Sequence, residues 1–346
     1  MIKVEVPASV KYDVLIGDVI NSLSGRLYEL FGKVRYAVIC DENVKRLHGQ
    51  TLSRAMTGLD TAEYILPSGE NSKSISQYEK ILDFLAESSL TRKDVIIAVG
   101  GGVTGDISGF CAASYLRGIR FVQVPTTLLA MTDSSVGGKT AVNITAGKNL
   151  VGAFHQPSLV MCHTPFLRTL PPEIYSDGMA EVIKYGVIRD GAFFEKLSCG
   201  MNEDEMIARC VEIKRDVVVA DEKESGERVI LNFGHTAAHA VEKLSGFEIS
   251  HGSAVAMGML IAAASAENNG ICEKGTAEKI KDVLHRYGHT EKCPFSPRDM
   301  AQASRNDKKT EGGEIKLVLP EKIGKCTVKR VSVDKLEAFF GLEASL

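Results

Sequence analysis

The chain has 346 residues, 44% of them hydrophobic and 25% charged, which predicts a soluble globular protein too long for one compact core. A formal net charge of −3 argues against nucleic-acid binding, and no apolar run reaches the roughly 18 to 20 residues of a membrane span. The eight cysteines are scattered without Cys-x-x-Cys spacing, and the N-terminus alternates like a strand and lacks a signal-peptide core. These features predict a cytoplasmic protein.

Apolar strands alternate with helical segments up to about residue 165, as is typical of a mostly parallel sheet wound in right-handed crossovers. The strands are predicted at 35–40, 63–66, 94–99, 120–124 and 159–161. Helical patterns dominate from residue 171 onward, at 175–188, 203–219, 229–244, 253–268 and 273–287, before short strands at 315–319 and 326–331 and a helix at 333–340. The sequence therefore predicts an α/β domain, residues 1–170, and a mainly α-helical domain, residues 171–346, with a ligand cleft between them.

A glycine-rich loop follows one of the predicted buried strands. Gly100-Gly101-Gly102-Val103-Thr104-Gly105 satisfies the pattern G-x-G-x-x-G and precedes a helix, whose N-terminus presents free N–H groups to a pyrophosphate. The loop follows the fourth or fifth strand, and no acidic residue ends a strand about 20 residues later. Asp41, at the end of an earlier strand, could accept the ribose hydroxyls instead. The pattern predicts a dinucleotide site in a Rossmann-like domain of unusual order, with a ligand-free glycine turn as the alternative.

Three of the eight histidines lie in one segment with helical signals, at His235, His239 and His251. The first two are four residues apart and share one face of a helix. Neutral imidazoles and one carboxylate, for which Glu181 is the candidate, are the ligands of an open catalytic zinc site. The segment lacks the Glu of a metalloprotease motif, so hydrogen-bonded core histidines stay open as the alternative.

Seven segments, in order along the chain, together resemble the 3-dehydroquinate synthase family of sugar phosphate cyclases. They are GGGVTGD (100–106), PTTLLAMTDSSVGGKT (125–140), GKNLVG (147–152), AEVIKYG (180–186), LNFGHT (231–236), HGSAV (251–255) and NDKK (306–309). The resemblance implies a lyase that converts 3-deoxy-D-arabino-heptulosonate 7-phosphate to 3-dehydroquinate and phosphate in the shikimate pathway of aromatic amino-acid biosynthesis. It implies transient oxidation by NAD, phosphate elimination, re-reduction, ring opening and aldol closure.

The resemblance also implies which residues form the site. The metal, zinc or cobalt, would be bound by Glu181, His235 and His251, and His239 would face substrate. The NAD contacts would lie in the first domain, at Asp41, Asn43, Ser68, Gly69, Glu70, Asn71, Ser72, Lys73, Gly102, Val103, Thr104, Gly105, Asp106, Thr126, Thr127, Lys139, Lys148, Phe166, Leu167, Arg168 and Thr169. The substrate-facing residues would be Asp133, Lys139, Asn149, Lys184, Lys214, Arg228, Asn232, His239, Lys309 and, from the partner in a homodimer, Arg117.

Two alternatives stay open at this point. A metal- and NAD-dependent polyol dehydrogenase shares the two-domain plan but needs no cations for both a phosphate and a carboxylate. Another sugar phosphate cyclase accepts neutral sugars and needs no partner for a carboxylate. Arg228, which is suited to bidentate contact with a carboxylate, and Lys214 favour the synthase.

Overall fold

The computed structural model describes residues 1–224, 226–290, 292–305, 310–311 and 313–341. Two compact units divide the chain: Met1–Pro171 with Asn202–Lys223, and Pro172–Met201 with Glu224–Leu346. None of the helices in the described ranges combines the length and apolar character that a membrane crossing requires.

The described elements run as follows in chain order. Up to residue 171 they are β1 (Ile2–Pro7), β2 (Lys11–Gly17), α1 (Leu23–Phe31), β3 (Arg35–Asp41), α2 (Glu42–Ala55), β4 (Asp60–Leu66), α3 (Ile75–Glu87), β5 (Val95–Gly100), α4 (Gly102–Ser114), β6 (Arg120–Pro125), β7 (Lys139–Ile144), β8 (Gly147–Phe154) and β9 (Leu159–His163). Then come α5 (Pro172–Arg189), α6 (Gly191–Cys199), α7 (Glu203–Ala220), α8 (His235–Leu244), α9 (His251–Asn268), α10 (Thr276–Arg286), α11 (Pro297–Arg305), β10 (Thr310–Glu311), β11 (Glu314–Lys322), β12 (Lys325–Ser332) and α12 (Leu336–Phe340).

Seven strands of the first unit form one sheet in the order β1-β2-β9-β6-β5-β3-β4. Every neighbouring pair is parallel except β1 and β2. Strand β5 is buried along its whole length, as expected for a parallel strand that is covered on both faces. The predicted α/β class is therefore confirmed. Because β3, β5 and β6 are parallel, the residues that follow them meet at one edge of the sheet.

The hairpin of β7 and β8 was not predicted from the sequence. Its second strand carries Gly147, Asn149 and Gly152, which weaken the strand signal. Gly152 is required by packing, because a Cβ there would lie 2.1 Å from Thr140 O on the facing strand. The hairpin forms a separate two-stranded sheet.

Two predictions about the C-terminal half need correction. The helix predicted at 229–244 is interrupted: a 3-10 turn covers Glu227–Asn232, and α8 begins only at His235. Gly234 breaks the pattern with a left-handed φ of 78°. Helix α7, assigned above to the second domain, lies with the first unit because it packs against β1 and β2. The assignment of cofactor binding to one unit and of metal and substrate binding to the other stays a prediction.

Asp94 closes the loop that leads into β5. One of its oxygens accepts a hydrogen bond from Arg35 N at 2.9 Å, and the other accepts from Thr91 N at 2.6 Å. Burial alone would raise the pKa of this carboxyl, but these hydrogen bonds hold it below its usual value. Asp94→Ala leaves buried donors unsatisfied, so we expect it to lower the free energy of unfolding by about 1–3 kcal/mol in urea denaturation at pH 7.

The decrease in the free energy of unfolding that Asp94→Ala causes should also depend on pH. A depressed pKa contributes stability above the unfolded-state pKa, and this contribution is lost as pH falls through the folded-state pKa. The difference between the two proteins should therefore be constant above about pH 5 and shrink towards about pH 3. Asp83→Ala removes an exposed carboxylate from α3 and serves as the control. An equal decrease in the free energy of unfolding of Asp83→Ala would contradict the stabilising role of the Asp94 hydrogen bonds.

Candidate functional site

Three helices of the second unit deliver one side chain each to a single point. Glu181 lies within α5 and is fully buried, His235 is the first residue of α8, and His251 is the first residue of α9. Each of the three offers a ligand atom, and these atoms all lie within 4.8 Å of one another. A carboxylate with two imidazoles is a typical set of ligands for a catalytic divalent metal.

Two glycines of α9 allow the helices to approach closely enough for this convergence. A Cβ at Gly252 would lie 2.3 Å from Asp177 Cα on α5, and a Cβ at Gly258 would lie 2.1 Å from Gly234 O, just before α8. Ser250 Oγ donates a hydrogen bond to Asp177 Oδ1 at 2.5 Å, which joins the start of α9 to α5. The ligand geometry therefore depends on positions where any side chain would collide with backbone.

The hydrogen bonds of the imidazoles orient their ligand atoms. His235 Nδ1 lies 3.0 Å from Phe233 O, and because a carbonyl only accepts, Nδ1 carries the proton and Nε2 faces the carboxylate. Glu181 Oε1 lies 3.4 Å from His235 Nε2 and 3.2 Å from His251 Nε2. Ligand atoms about 2.1 Å from a tetrahedral ion are about 3.4 Å apart, so these separations fit zinc or cobalt.

The electrostatics of the group follow from burial and close charges. Burial would raise the pKa of the Glu181 carboxyl, but Lys184 and the two imidazoles hold it well below its usual range. Burial lowers the pKa of His235 to about 4, despite the opposing influence of Glu181. Burial would also lower the pKa of His251, but hydrogen bonds to Glu181 and Glu242 raise it to about 10. The group thus places an ionised carboxylate between one neutral and one basic imidazole.

Several predicted substrate residues surround this group. Lys184 is buried and forms an ion pair with Glu181 Oε2, and the ring of His239 lies 5.8 Å from that of His235 without joining the ligand group. Arg228 is 1% exposed, and Asn232 donates a hydrogen bond to Glu224 Oε1 at 3.2 Å. Lys309 and its segment 306–309 lie outside the described residues.

In the first unit, predicted cofactor residues meet at the carboxyl ends of β3 and β5. Asp41 caps α2 by accepting hydrogen bonds from Asn43 N and Val44 N, and Ser68 Oγ donates to it at 3.0 Å. A Cβ at Gly100 would lie 3.1 Å from Asp41 Cβ and 2.4 Å from Thr104 Oγ1. No side chain caps the N-terminus of α4, so its first N–H groups can bind an anion.

The same edge carries two buried ion pairs. Lys73 Nζ lies 2.5 Å from Asp106 Oδ2, and burial raises the pKa of Asp106 despite this lysine. Lys214 on α7 pairs with Asp133 and also donates to Asp133 O at 2.6 Å. The structure thus joins Lys214 and Asp133, two residues predicted to face the substrate, in one ion pair.

The remaining predicted residues lie on the hairpin and in surface turns. Lys139 begins β7, while Lys148 and Asn149 lie on β8, where Asn149 has a left-handed φ of 55°. Thr126 N donates a hydrogen bond to Gly100 O at 3.0 Å, and Ala130 N donates to Thr127 Oγ1 at 3.2 Å. The 3-10 turn Thr164–Thr169 contains buried Phe166 and Leu167 and exposed Arg168 and Thr169. Arg117 is exposed in a turn, with a left-handed φ of 69°.

Sequence reasoning missed the residues that hold these groups in place. Glu242 Oε1 lies 3.5 Å from His251 Nδ1, on the side of the ring opposite Glu181. Its position, seven residues after His235 on the same helix, is a signal that could have suggested a shared face. Asn143, which bonds Glu70 and Asn149, gave no signal because Glu70 is distant in sequence and the hairpin that carries Asn143 and Asn149 was not predicted.

The chain is similar to known proteins over most of its length. Residues 63–177 match the profile described as 3-dehydroquinate synthase N-terminal, and residues 178–310 match that described as 3-dehydroquinate synthase C-terminal. The 3-dehydroquinate synthase of Clostridium acetobutylicum is 42% identical over 328 residues, which cover 90% of this chain and 91% of that protein. The chain belongs to the 3-dehydroquinate synthase family.

Two solved structures of sugar phosphate cyclases share the whole fold of this family member. A 2-deoxy-scyllo-inosose synthase in complex with carbaglucose-6-phosphate, NAD⁺ and Co²⁺ has a TM-score of 0.88 at 26% identity, covering 98% of this chain and 99% of that one. The 2-epi-5-epi-valiolone synthase of Streptomyces hygroscopicus, with NAD⁺ and Zn²⁺, has a TM-score of 0.85 at 26% identity, covering 95% and 96%.

The close packing of α9 yields a testable prediction. In Gly258→Ala the new Cβ would meet the backbone of Gly234, so α8 and His235 should be displaced. We expect a lower melting temperature and at least a tenfold weaker binding of Co²⁺, followed by its visible absorption, since losses of about 10- to 100-fold accompany disturbed ligand supports.

Gly25→Ala provides the control for this prediction. Gly25 lies on α1, and a Cβ there meets nothing within 4 Å. This change should leave Co²⁺ binding intact and keep or raise stability, because alanine favours helix by up to about 1 kcal/mol over glycine. Normal Co²⁺ affinity in Gly258→Ala would show that the close approach is not needed.

Proposed function

We propose that this chain converts 3-deoxy-D-arabino-heptulosonate 7-phosphate to 3-dehydroquinate and phosphate, as a phosphate-eliminating lyase of the shikimate pathway. The observation that carries the proposal is the convergence of Glu181, His235 and His251 in a chain of the 3-dehydroquinate synthase family. The same convergence supports the further proposal that these three residues bind zinc or cobalt.

The cofactor proposal rests on the edge of the parallel sheet. Asp41, the glycine loop and the uncapped start of α4 supply a carboxylate for ribose hydroxyls and N–H groups for a pyrophosphate. When bound, NAD supplies reversible hydride acceptance and the metal supplies Lewis acidity at the substrate hydroxyls. The other proposed contacts are those predicted from residues 43, 68–73, 102–106, 126–127, 139, 148 and 166–169.

The residues near the metal group would bind and orient the sugar. Lys184 is a buried cation beside Glu181 and can hold a hydroxyl oxygen as negative charge develops on it. Asn232 offers an amide for a second hydroxyl, and Asp133 is proposed for the same task. Arg228 is a buried, permanently charged guanidinium, which suits a carboxylate.

The phosphate would be bound by cations and polar groups that the sequence motifs supply. We assign this task to Lys139, Asn149, His239 and Lys309. Lys214 would instead contact the carboxylate of the substrate, together with Arg228. His239 lies one helical turn beyond His235 and outside the ligand group, so it can contact substrate without binding metal. The departing phosphate would accept the proton that is lost during elimination.

Assembly and location are also proposed here. We infer a cytoplasmic homodimer in which Arg117 of one subunit reaches the phosphate site of the other. The exposed position of Arg117 and its left-handed backbone support this role, because strained conformations of this kind are concentrated at functional sites.

Direct assay tests the proposed reaction. Heptulosonate phosphate, NAD⁺ and zinc should yield phosphate and 3-dehydroquinate without net NADH, because each reduced nicotinamide is reoxidised within the cycle. Removal of the metal by chelation should abolish turnover, and zinc or cobalt should restore it. Accumulation of NADH would support a polyol dehydrogenase, and full activity in a metal-free sample would refute the metal site.

Substrate selectivity separates the synthase from cyclases that act on neutral sugars. A synthase should prefer the heptulosonate phosphate over sedoheptulose 7-phosphate, which lacks the carboxylate that Arg228 is proposed to bind. Loss of an ion pair to a buried guanidinium costs about 2 kcal/mol or more, which corresponds to roughly 30-fold in kcat/KM. Equal use of both sugars would favour the neutral-sugar cyclase.

The two histidines of α8 should respond differently to substitution. His239→Ala should reduce turnover, measured as phosphate release, while retaining one metal per chain by atomic absorption. His235→Ala should lose the metal, because it removes a ligand atom. Loss of stoichiometric metal in His239→Ala would mean that the roles of the two histidines are wrongly assigned.

A further inference from the structure

Asn143 forms three hydrogen bonds that join separate parts of the first unit. Its side-chain Nδ2 donates to Glu70 Oε1 at 2.6 Å, and its Oδ1 accepts from Asn149 N at 2.9 Å. Its backbone N donates to Lys73 O at 2.8 Å. One residue thus contacts both the segment after β4 and the start of β8.

The position of Asn143 in β7 explains how it reaches both partners. The register of β7 and β8 shifts between Val142 and Ile144, so Asn143 falls at an irregularity of the ladder. It forms an isolated parallel bridge with Ser74. Irregularities of this kind redirect a side chain away from regular pairing.

On the hairpin side, Asn143 fixes the backbone of Asn149. Asn149 has a φ of 55°, a left-handed conformation that costs energy for a residue other than glycine. The hydrogen bond from its N–H to Asn143 Oδ1 stabilises this conformation and orients the start of β8, which also carries Lys148.

On the other side, Asn143 holds the segment that follows β4. Glu70 begins a short 3-10 turn, and Lys73 at its end pairs with Asp106 at 2.5 Å. Asp106 belongs to the first turns of α4, which follow the glycine loop. A continuous set of polar contacts therefore runs from the start of α4, through Lys73 and Asn143, to Asn149.

We propose that Asn143 is a positioning residue that couples occupancy of the dinucleotide site to the geometry of the start of β8, where Asn149 would bind the substrate phosphate. The inference rests on the proposed function, which assigns residues 68–73 to NAD and Asn149 to the substrate phosphate. NAD⁺ that orders Glu70 and Lys73 also orders Asn143, and Asn143 then holds Asn149 ready for phosphate. Such coupling is reciprocal, so phosphate must tighten NAD⁺ binding by the same factor.

An asparagine is required because both bonds must form at once. The Nδ2 group donates to a carboxylate while the Oδ1 atom accepts from an amide. Aspartate keeps the acceptor but loses the donor and places a second carboxylate against Glu70. Alanine removes both bonds and leaves the backbone bond to Lys73 O in place.

The coupling can be measured without turnover. The dissociation constant of NAD⁺ is determined by calorimetry on the zinc-loaded full chain, with and without saturating inorganic phosphate as the probe. We expect phosphate to tighten NAD⁺ binding about fivefold or more. In Asn143→Ala this factor should fall to about one, while the affinity for NAD⁺ alone changes by less than about threefold.

Steady-state kinetics provide a second readout. In Asn143→Ala the KM for heptulosonate phosphate should rise about tenfold with kcat changed by less than about threefold, as expected when ground-state and transition-state binding are weakened together. Thr145→Ala, an exposed position on the same turn, is the matched control and should retain both the coupling and the KM. A general loss of stability would instead lower kcat and the melting temperature.

A rescue variant tests the contact itself. N143D should lose coupling as Asn143→Ala does, because two carboxylates then face each other. Adding E70Q to N143D supplies a donor to the new carboxylate, so the double variant should recover at least half of the coupling factor. Undiminished coupling in Asn143→Ala, or no recovery in the double variant, overturns the proposal.

The outcomes also distinguish this inference from the proposed function. Turnover of heptulosonate phosphate without any coupling in the unsubstituted chain overturns the role of Asn143 and leaves the function standing. Coupling that depends on Asn143, in a chain that does not turn over this sugar, supports the positioning role and rejects the proposed substrate.

Discussion

The convergence of Glu181, His235 and His251, the candidate metal ligands, depends on how closely α9 packs against α5 and α8. Gly252 and Gly258 lie against backbone atoms, so the helix axes can approach only because neither residue carries a Cβ. The ligands His235 and His251 are the first residues of their helices, where a small change in helix position moves the side chain directly. Packing of two glycines therefore determines whether a carboxylate and two imidazoles meet at one point.

Glu181 is buried, so the surrounding residues must compensate its negative charge. An ionised carboxylate without exposure to water is costly unless cations and donors compensate it. Lys184 on the same helix and the two imidazoles lie within contact distance of it. Binding of a divalent cation at this point would offset the same cost.

The sequence predicts β3, β5 and β9 because each contains a run of apolar residues, whereas β2 was not predicted. It fails where three-dimensional contacts decide: Gly234 interrupts a helical pattern, and the hairpin of β7 and β8 has weak strand propensity. The motif residues, such as Glu181 and His251, were recognisable because their chemistry is distinctive. The residues that orient them were not, because Glu242 and Asn143 act through partners that only the fold brings near.

The two imidazoles are supported by different partners, and this difference makes them unequal as ligands. His235 Nδ1 donates to the neutral carbonyl of Phe233 at 3.0 Å, whereas His251 Nδ1 faces the carboxylate of Glu242 at 3.5 Å. A carboxylate partner increases the basicity of an imidazole more than a carbonyl does, so His251 would be the stronger electron donor to a cation bound here. His235 would donate less, because its partner is an uncharged backbone carbonyl just before its own helix. Of the two supporting residues, Phe233 belongs to the motif LNFGHT, whereas Glu242 lies outside the recognised motifs and is brought to His251 by the packing of α8 against α9.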